Sequence, residues 1–199
     1  MKILKYLLFV VVGLVIIFFA IGLLKPSINY GHEITVNKSV KEAWAVHQDE
    51  SKFGQWLKGF KSIDLIEGEA GKVGSKYKVV VNPGEGQPDF EMIETVVAME
   101  EFDHVALSFD SEMMRFDQTT SFSETDGKTT IKTDSKVSGK NMMLRSLFAL
   151  MEIFGGAFQA QEEKNIEALK KVIEENTTDY YPAPVMTEEE VIVPEEVAE

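Results

Sequence analysis

The chain contains no cysteine in its 199 residues, which removes disulfides, thiolate nucleophiles, thiolate-bound zinc and thioether-linked lipid together. Histidine is scarce as well. His32, His47 and His104 show neither the i, i+4 pair of a helical metal site nor any other paired-ligand spacing, so no metal is expected. Basic charge is outweighed throughout: Lys2, Lys5 and Lys25 place +3 on the first segment, the acids after Asn176 place −7 on the last, and residues 26–176 carry the −9 that completes a total of −13. A chain this acidic repels phosphate backbones, which excludes nucleic acid as a partner. There is no Gly-x-Ser-x-Gly elbow, no glycine-rich phosphate loop after a strand and no Ser/His/Asp arrangement, so neither a catalytic residue nor a cofactor can be named.

What the chain does have, first, is a long hydrophobic run. From Ile3 to Leu24 only Lys5 and Tyr6 depart from apolar residues and glycine, enough for a helix to cross roughly 30 Å of hydrocarbon. The run exceeds the ~7–15 residues usual in a signal peptide. Phe18-Phe19-Ala20-Ile21-Gly22 is also a poor small-x-small cleavage site. Residues 1–25 are therefore expected to be an uncleaved transmembrane anchor, with membrane contact through residues 3–24. Lys2, Lys5 and the terminal amine precede the span, so the positive-inside rule places the following domain on the extracytoplasmic side.

Residues 26–176 read as one folded domain. Ile28 to Val36 alternates like a strand. Ser39-Val-Lys-Glu42 is a capping box opening a helix whose face carries Val40, Ala43, Trp44 and His47. Phe53-Gly-Gln-Trp56 reads as a short helix or turn. Six strands follow, over Phe60–Glu67, Ser75–Asn82, Phe90–Met99, His104–Asp110, Arg115–Glu124 and Lys128–Val137, separated by glycine- and proline-bearing turns such as Asp126-Gly127. With no helix between them, these strands predict an antiparallel meander. Beyond Gly139 the period becomes helical: Met143, Leu147, Leu150, Met151 and Phe154, then, after Gly155-Gly156, Phe158, Ile166, Leu169 and Ile173. The Gly-Gly pair reads as a helix break or a hinge. Residues 177–199 are acid-rich, lack any basic residue, and are expected to form a disordered tail.

This order of elements resembles the helix-grip architecture of the START-like superfamily, also called SRPBCC or polyketide cyclase/dehydrase-like. Ile34-Thr-Val-Asn-Lys-Ser-Val-Lys-Glu-Ala-Trp44, Trp56 and Gly71-Lys-Val-Gly74 look like that superfamily's first strand, capped helix, aromatic turn and glycine hairpin. Asn165 to Glu174 is similar to its closing helix, and Asn141 to Gly156 resembles the apolar segment that some bacterial members place before it. The resemblance covers about residues 28–175. It implies an α+β fold in which a curved antiparallel sheet of about seven strands grips a long C-terminal helix around an apolar cavity. Because the motifs are caps, turns and packing residues, they specify fold and not chemistry.

Strand parity assigns Tyr77, Val79 and Val81, then Val105, Leu107 and Phe109, then Phe116, Gln118, Thr120 and Phe122, then Ile131, Thr133 and Val137 to the inner face. These fill a core or line the cavity that the resemblance implies. The expected lining is Tyr77, Val79, Leu107, Phe109, Phe116 and Gln118 from strands, with Met143, Leu147, Met151, Phe154 and Phe158 from the helical segments. Gln118, polar on an inward face, requires a partner, whether ligand, neighbouring threonine or water. Met113, Met114, Met142, Met143 and Met151 suit an adaptable lid or gap-filling in a core equally well. Glu94 is centred in an apolar strand and is expected to face solvent; turned inward, it would carry the raised pKa of a general base. The expected function is membrane-tethered binding of a hydrophobic small molecule or lipid. The alternatives are a cyclase/dehydratase-like enzyme using the same cavity, and an envelope structural or interaction protein with a filled core.

Overall fold

A computed structural model describes residues 2–82, 84 and 86–182. Helix α1 (Lys2–Leu24) leads into strands β1 (Ile28–Tyr30) and β2 (Glu33–Val36), helix α2 (Val40–Gln48), a 3-10 turn (Glu50–Lys52) and helix α3 (Phe53–Trp56). Then come β3 (Phe60–Glu67), β4 (Lys76–Val81), β5 (Phe90–Glu100), β6 (His104–Asp110), β7 (Met114–Thr125) and β8 (Lys128–Gly139), followed by α4 (Met142–Gly155) and α5 (Ala157–Glu174).

The strands form one antiparallel sheet in the order β1-β8-β7-β6-β5-β4-β3, with β2 also on β8. This is the helix-grip arrangement expected from the sequence, with eight strands rather than about seven. Ile28–Val36 reads as one strand, but its pairing is interrupted at Gly31-His32, where the His32 amide donates to Thr133 Oγ1 (3.1 Å) and the His32 carbonyl accepts from the Thr133 amide (2.9 Å). The meander follows from its turns: Asp126 and Gly127 take φ of 53° and 71° and close β7 onto β8 with Thr125 opposite Lys128, as a two-residue hairpin requires.

The Ser39 hydroxyl accepts from the Glu42 amide (3.3 Å) and caps α2. Glu42 returns to the Ser39 hydroxyl (3.3 Å), not to the cap amide, and holds Lys38 (3.1 Å). The main core lies where α2, α3 and the second half of α5 meet β2, β6, β7 and β8, around Trp44, Trp56, Phe122, Ile131, Leu169 and Ile173. His47 is buried there between Trp56 and Phe122, with ring centroids 5.5 and 5.3 Å away.

Residues 177–182, assigned from sequence to the tail, turn back over this core. Tyr180 donates to Asp49 Oδ2 (2.6 Å), and Tyr181 meets Phe102 edge-on. The rest of that tail, residues 183–199, lies outside the described residues. Helix α1, with mean hydropathy 3.3 over its most apolar window, is the one helix among the described residues long and apolar enough to cross a membrane. It is exposed over most of its length and packs along α4 near its C-terminal end, where Gly22 lies against Ser146. A Cβ on Gly22 would come within 2.7 Å of the Ser146 amide nitrogen and 2.9 Å of its Cα, so the two helices touch backbone to backbone only because that side chain is missing.

Candidate functional site

Alternation along the strands turns Tyr77, Val79, Leu107, Phe109, Phe116 and Gln118 to the concave face, as their parity predicts. Tyr77 and Val79 are buried, whereas Leu107, Phe109, Phe116 and Gln118 remain half-buried. Helix α5 packs mainly on α2, α3, α4 and β2, which leaves β6 and β7 less closely covered than the main core. Rings run across this region in sequence. Phe109 stacks on Phe116 (5.2 Å), Phe116 on Tyr30 (6.3 Å), Tyr30 on Phe158 (5.8 Å), and Phe158 meets Phe148 of α4 edge-on (5.4 Å).

Two polar features interrupt the apolar lining. Gln118 Nε2 donates to Ser135 Oγ (3.1 Å) and to Glu162 Oε1 (3.0 Å), so strand and helix, not a ligand, satisfy that nitrogen. Glu162 is buried on α5. Burial raises its pKa, with partial compensation from the Thr133 hydroxyl, His32 and Gln118. Burial, with Glu162 and Glu152 nearby, keeps the Tyr30 phenol protonated far above its ordinary range.

Glu94 corrects an expectation. It is buried at 9% exposure on the concave face, opposite Tyr77 on β4 and Phe109 on β6. Burial, reinforced by the Glu50 charge, pushes its pKa up to about 7. Among the described residues nothing hydrogen-bonds to its carboxyl. A carboxyl in this state exchanges its proton near neutrality, which is what general acid–base chemistry needs.

The α4 residues expected in the lining are not on it. Met143, Leu147, Met151 and Phe154 are 59, 45, 44 and 83% exposed and form a stripe on the outer side of the helix. Ser146, Phe148 and Ala149 make the buried side. The helix is apolar almost all round, so the period identifies a face without saying which way it turns. Phe158, in contrast, lies among the interior rings. Of the remaining methionines, Met114 packs beside Phe116 while Met113 and Met142 are exposed. Gly155-Gly156 is a helix break: Gly156 takes a left-handed conformation (φ 53°) and donates to the Glu152 carbonyl (2.9 Å), and the Glu152 carboxylate accepts from the Phe158 amide (2.9 Å) to start α5.

The histidines stay apart. His32 faces Glu167 (3.4 Å), His47 is in the core, and half-buried His104 opens β6 beside Asp103 (2.6 Å) and Glu100. A wide, open depression of about 730 Å³ is lined by outward residues such as Asn29, Val97, Asp117 and Lys136 together with Tyr30, Leu107, Gln118 and Ser135 of the concave face.

Sequence reasoning passed over Glu162, although its signal was present. Phe158, Ile166, Leu169 and Ile173 define the buried stripe of α5, and Glu162 fills the missing turn of that stripe.

No protein-family model matches this sequence, and no curated protein does. Solved structures match in fold. The di-domain ARO/CYC StfQ from the steffimycin biosynthetic pathway superposes with a TM-score of 0.62 at 11% identity, over 76% of this chain and 52% of that one. Ara h 8.0201 gives 0.58 at 16%, over 75% and 99% of the two chains. Norcoclaurine synthase from Thalictrum flavum, solved in complex with dopamine and hydroxybenzaldehyde, gives 0.54 at 16%, over 77% and 90%. This chain therefore has the helix-grip fold of the START-like, polyketide-cyclase-like proteins.

Proposed function

We propose that residues 26–176 form a domain that holds a hydrophobic small molecule or lipid between the concave sheet and α5, and that residues 1–25 tether this domain to a membrane. The supporting observation is the half-buried row Phe109, Phe116, Tyr30 and Phe158 beside the Gln118–Glu162 couple, an apolar lining with few fixed polar groups, as small-molecule sites have. Tyr77, Val79 and Leu107 extend the lining. Norcoclaurine synthase, which has this fold, was solved with two aromatic compounds bound, in keeping with an aromatic-lined interior. Phe116→Asp, which sets a charge among the rings, should abolish retention of the hydrophobic compound recovered by organic extraction of the purified full chain. Equal recovery from wild type and variant would refute the reading.

Glu94 favours a second reading, a cyclase- or dehydratase-like reaction on the bound molecule, because its neutral carboxyl near pH 7 can give or take a proton inside the lining. That reading requires Glu94→Gln to abolish turnover while leaving retention intact. The charge pattern around α1 supports an extracytoplasmic domain. Protease added to intact spheroplasts should cleave the domain, and cleavage only in inverted vesicles would reverse the topology.

A further inference from the structure

The stripe Met143, Leu147, Met151 and Phe154 is an exposed apolar surface of the folded domain, on the helix that packs against α1. The two charges of α4 lie on its other side and are engaged within the domain: Arg145 Nε donates to the Gly139 carbonyl (3.0 Å), and Glu152 accepts from the Phe158 amide. The stripe itself carries no charge. Ser146, adjacent to Leu147, presses on Gly22, two residues from the end of α1.

Depth follows from length. A 23-residue helix rises about 35 Å against roughly 30 Å of hydrocarbon, so if α1 spans the bilayer, Gly22 lies at the boundary between acyl chains and headgroups. A helix touching Gly22 backbone to backbone lies at that depth too. An uncharged stripe of methionine, leucine and phenylalanine there meets hydrocarbon, not water.

We propose that α4 is seated in the membrane beside α1, its stripe immersed in the acyl–headgroup boundary. This rests on reading α1 as a membrane span. Phe148, on the inner side of α4, closes the row of rings that begins at Phe109, so the lining reaches the helix in the bilayer, and a ligand dissolved among acyl chains reaches it without crossing water.

The absence of cysteine makes the test clean. Leu147→Cys, Met151→Cys and Phe154→Cys, each in the full chain in phosphatidylcholine vesicles, would carry a nitrobenzoxadiazole probe, with Leu14→Cys in α1 and Glu163→Cys on exposed α5 as references. Quenching by lipids bearing nitroxides at graded depths should place the α4 probes about 5–10 Å below the phosphates, Leu14 deeper and Glu163 in water. Quenched Leu14 with α4 probes as wet as Glu163 overturns the proposal and leaves the anchor standing. Shielded α4 probes that lipid nitroxides do not quench mean that a second copy covers the stripe, which also overturns it. A wet Leu14 refutes the anchor and this proposal together.

Discussion

Glu94 stands directly opposite Phe109 in the β5–β6 register, so a carboxyl and an aromatic ring share the concave face with no donor between them. Burial and Glu50 raise its pKa from 4.5 to about 7. Between those values the folded protein holds a proton that the unfolded chain has released. The stabilisation is therefore complete below about pH 4.5 and is lost as pH rises through 7. Glu94→Gln keeps the neutral shape, and urea unfolding should show it level with wild type near pH 4 and more stable by roughly 3 kcal/mol at pH 8. Parallel pH profiles would mean that Glu94 is solvated.

His47 acts in the opposite sense. Buried with its Nδ1 unpartnered, it has its pKa pushed down to about 4. The folded protein keeps it neutral, so its contribution is present above about pH 6.5 and is lost as pH falls toward 4. His47→Phe should flatten the acid limb of the stability profile, on the order of 3 kcal/mol between pH 7 and 4. An unchanged acid limb would place the loss elsewhere.

Gly22 and Gly13 form a matched pair on α1. A side chain at Gly22 collides with the Ser146 backbone, whereas one at Gly13 meets nothing within 4 Å. Gly22→Leu should destabilise the α1–α4 junction by about 1–3 kcal/mol, read as a lower Tm in detergent, and Gly13→Leu should not. Equal effects would contradict the helix contact.

Gln118→Leu removes the donor that serves Glu162 and Ser135. A buried acceptor left unpaired costs about 1–3 kcal/mol. The variant should unfold more readily than wild type at neutral pH and recover part of the difference in acid, where Glu162 is protonated. No pH dependence in the difference would show that the couple carries no charge.

Much of the fold was legible because it is written in local chemistry. Ser39 and Glu42 marked α2, Asp126-Gly127 marked the β7–β8 hairpin, and strand alternation placed Tyr77, Leu107, Phe109 and Phe116 inward. Glu94 was misread because its orientation depends on the β4–β5 register, which the long connection around Gly84 and Gly86 leaves open until Tyr77 is seen opposite it. The α4 stripe was found but turned the wrong way, since a helix apolar on nearly every side does not declare its neighbour, and here α1 takes the Ser146 side. Gln118 was recognised as needing a partner. That partner, Glu162, lies 44 residues away on α5 and could be brought to it only by the tertiary fold.

The central claim, a hydrophobic molecule held between sheet and α5, is tested most directly by native mass spectrometry of the full chain ejected from phosphatidylcholine nanodiscs, followed by organic extraction. The account expects a defined hydrophobic compound bound to the chain, and its loss in Phe116→Asp. A bare chain that stays bare after incubation with oleic acid and with farnesol would contradict it and leave a filled core with an interaction role.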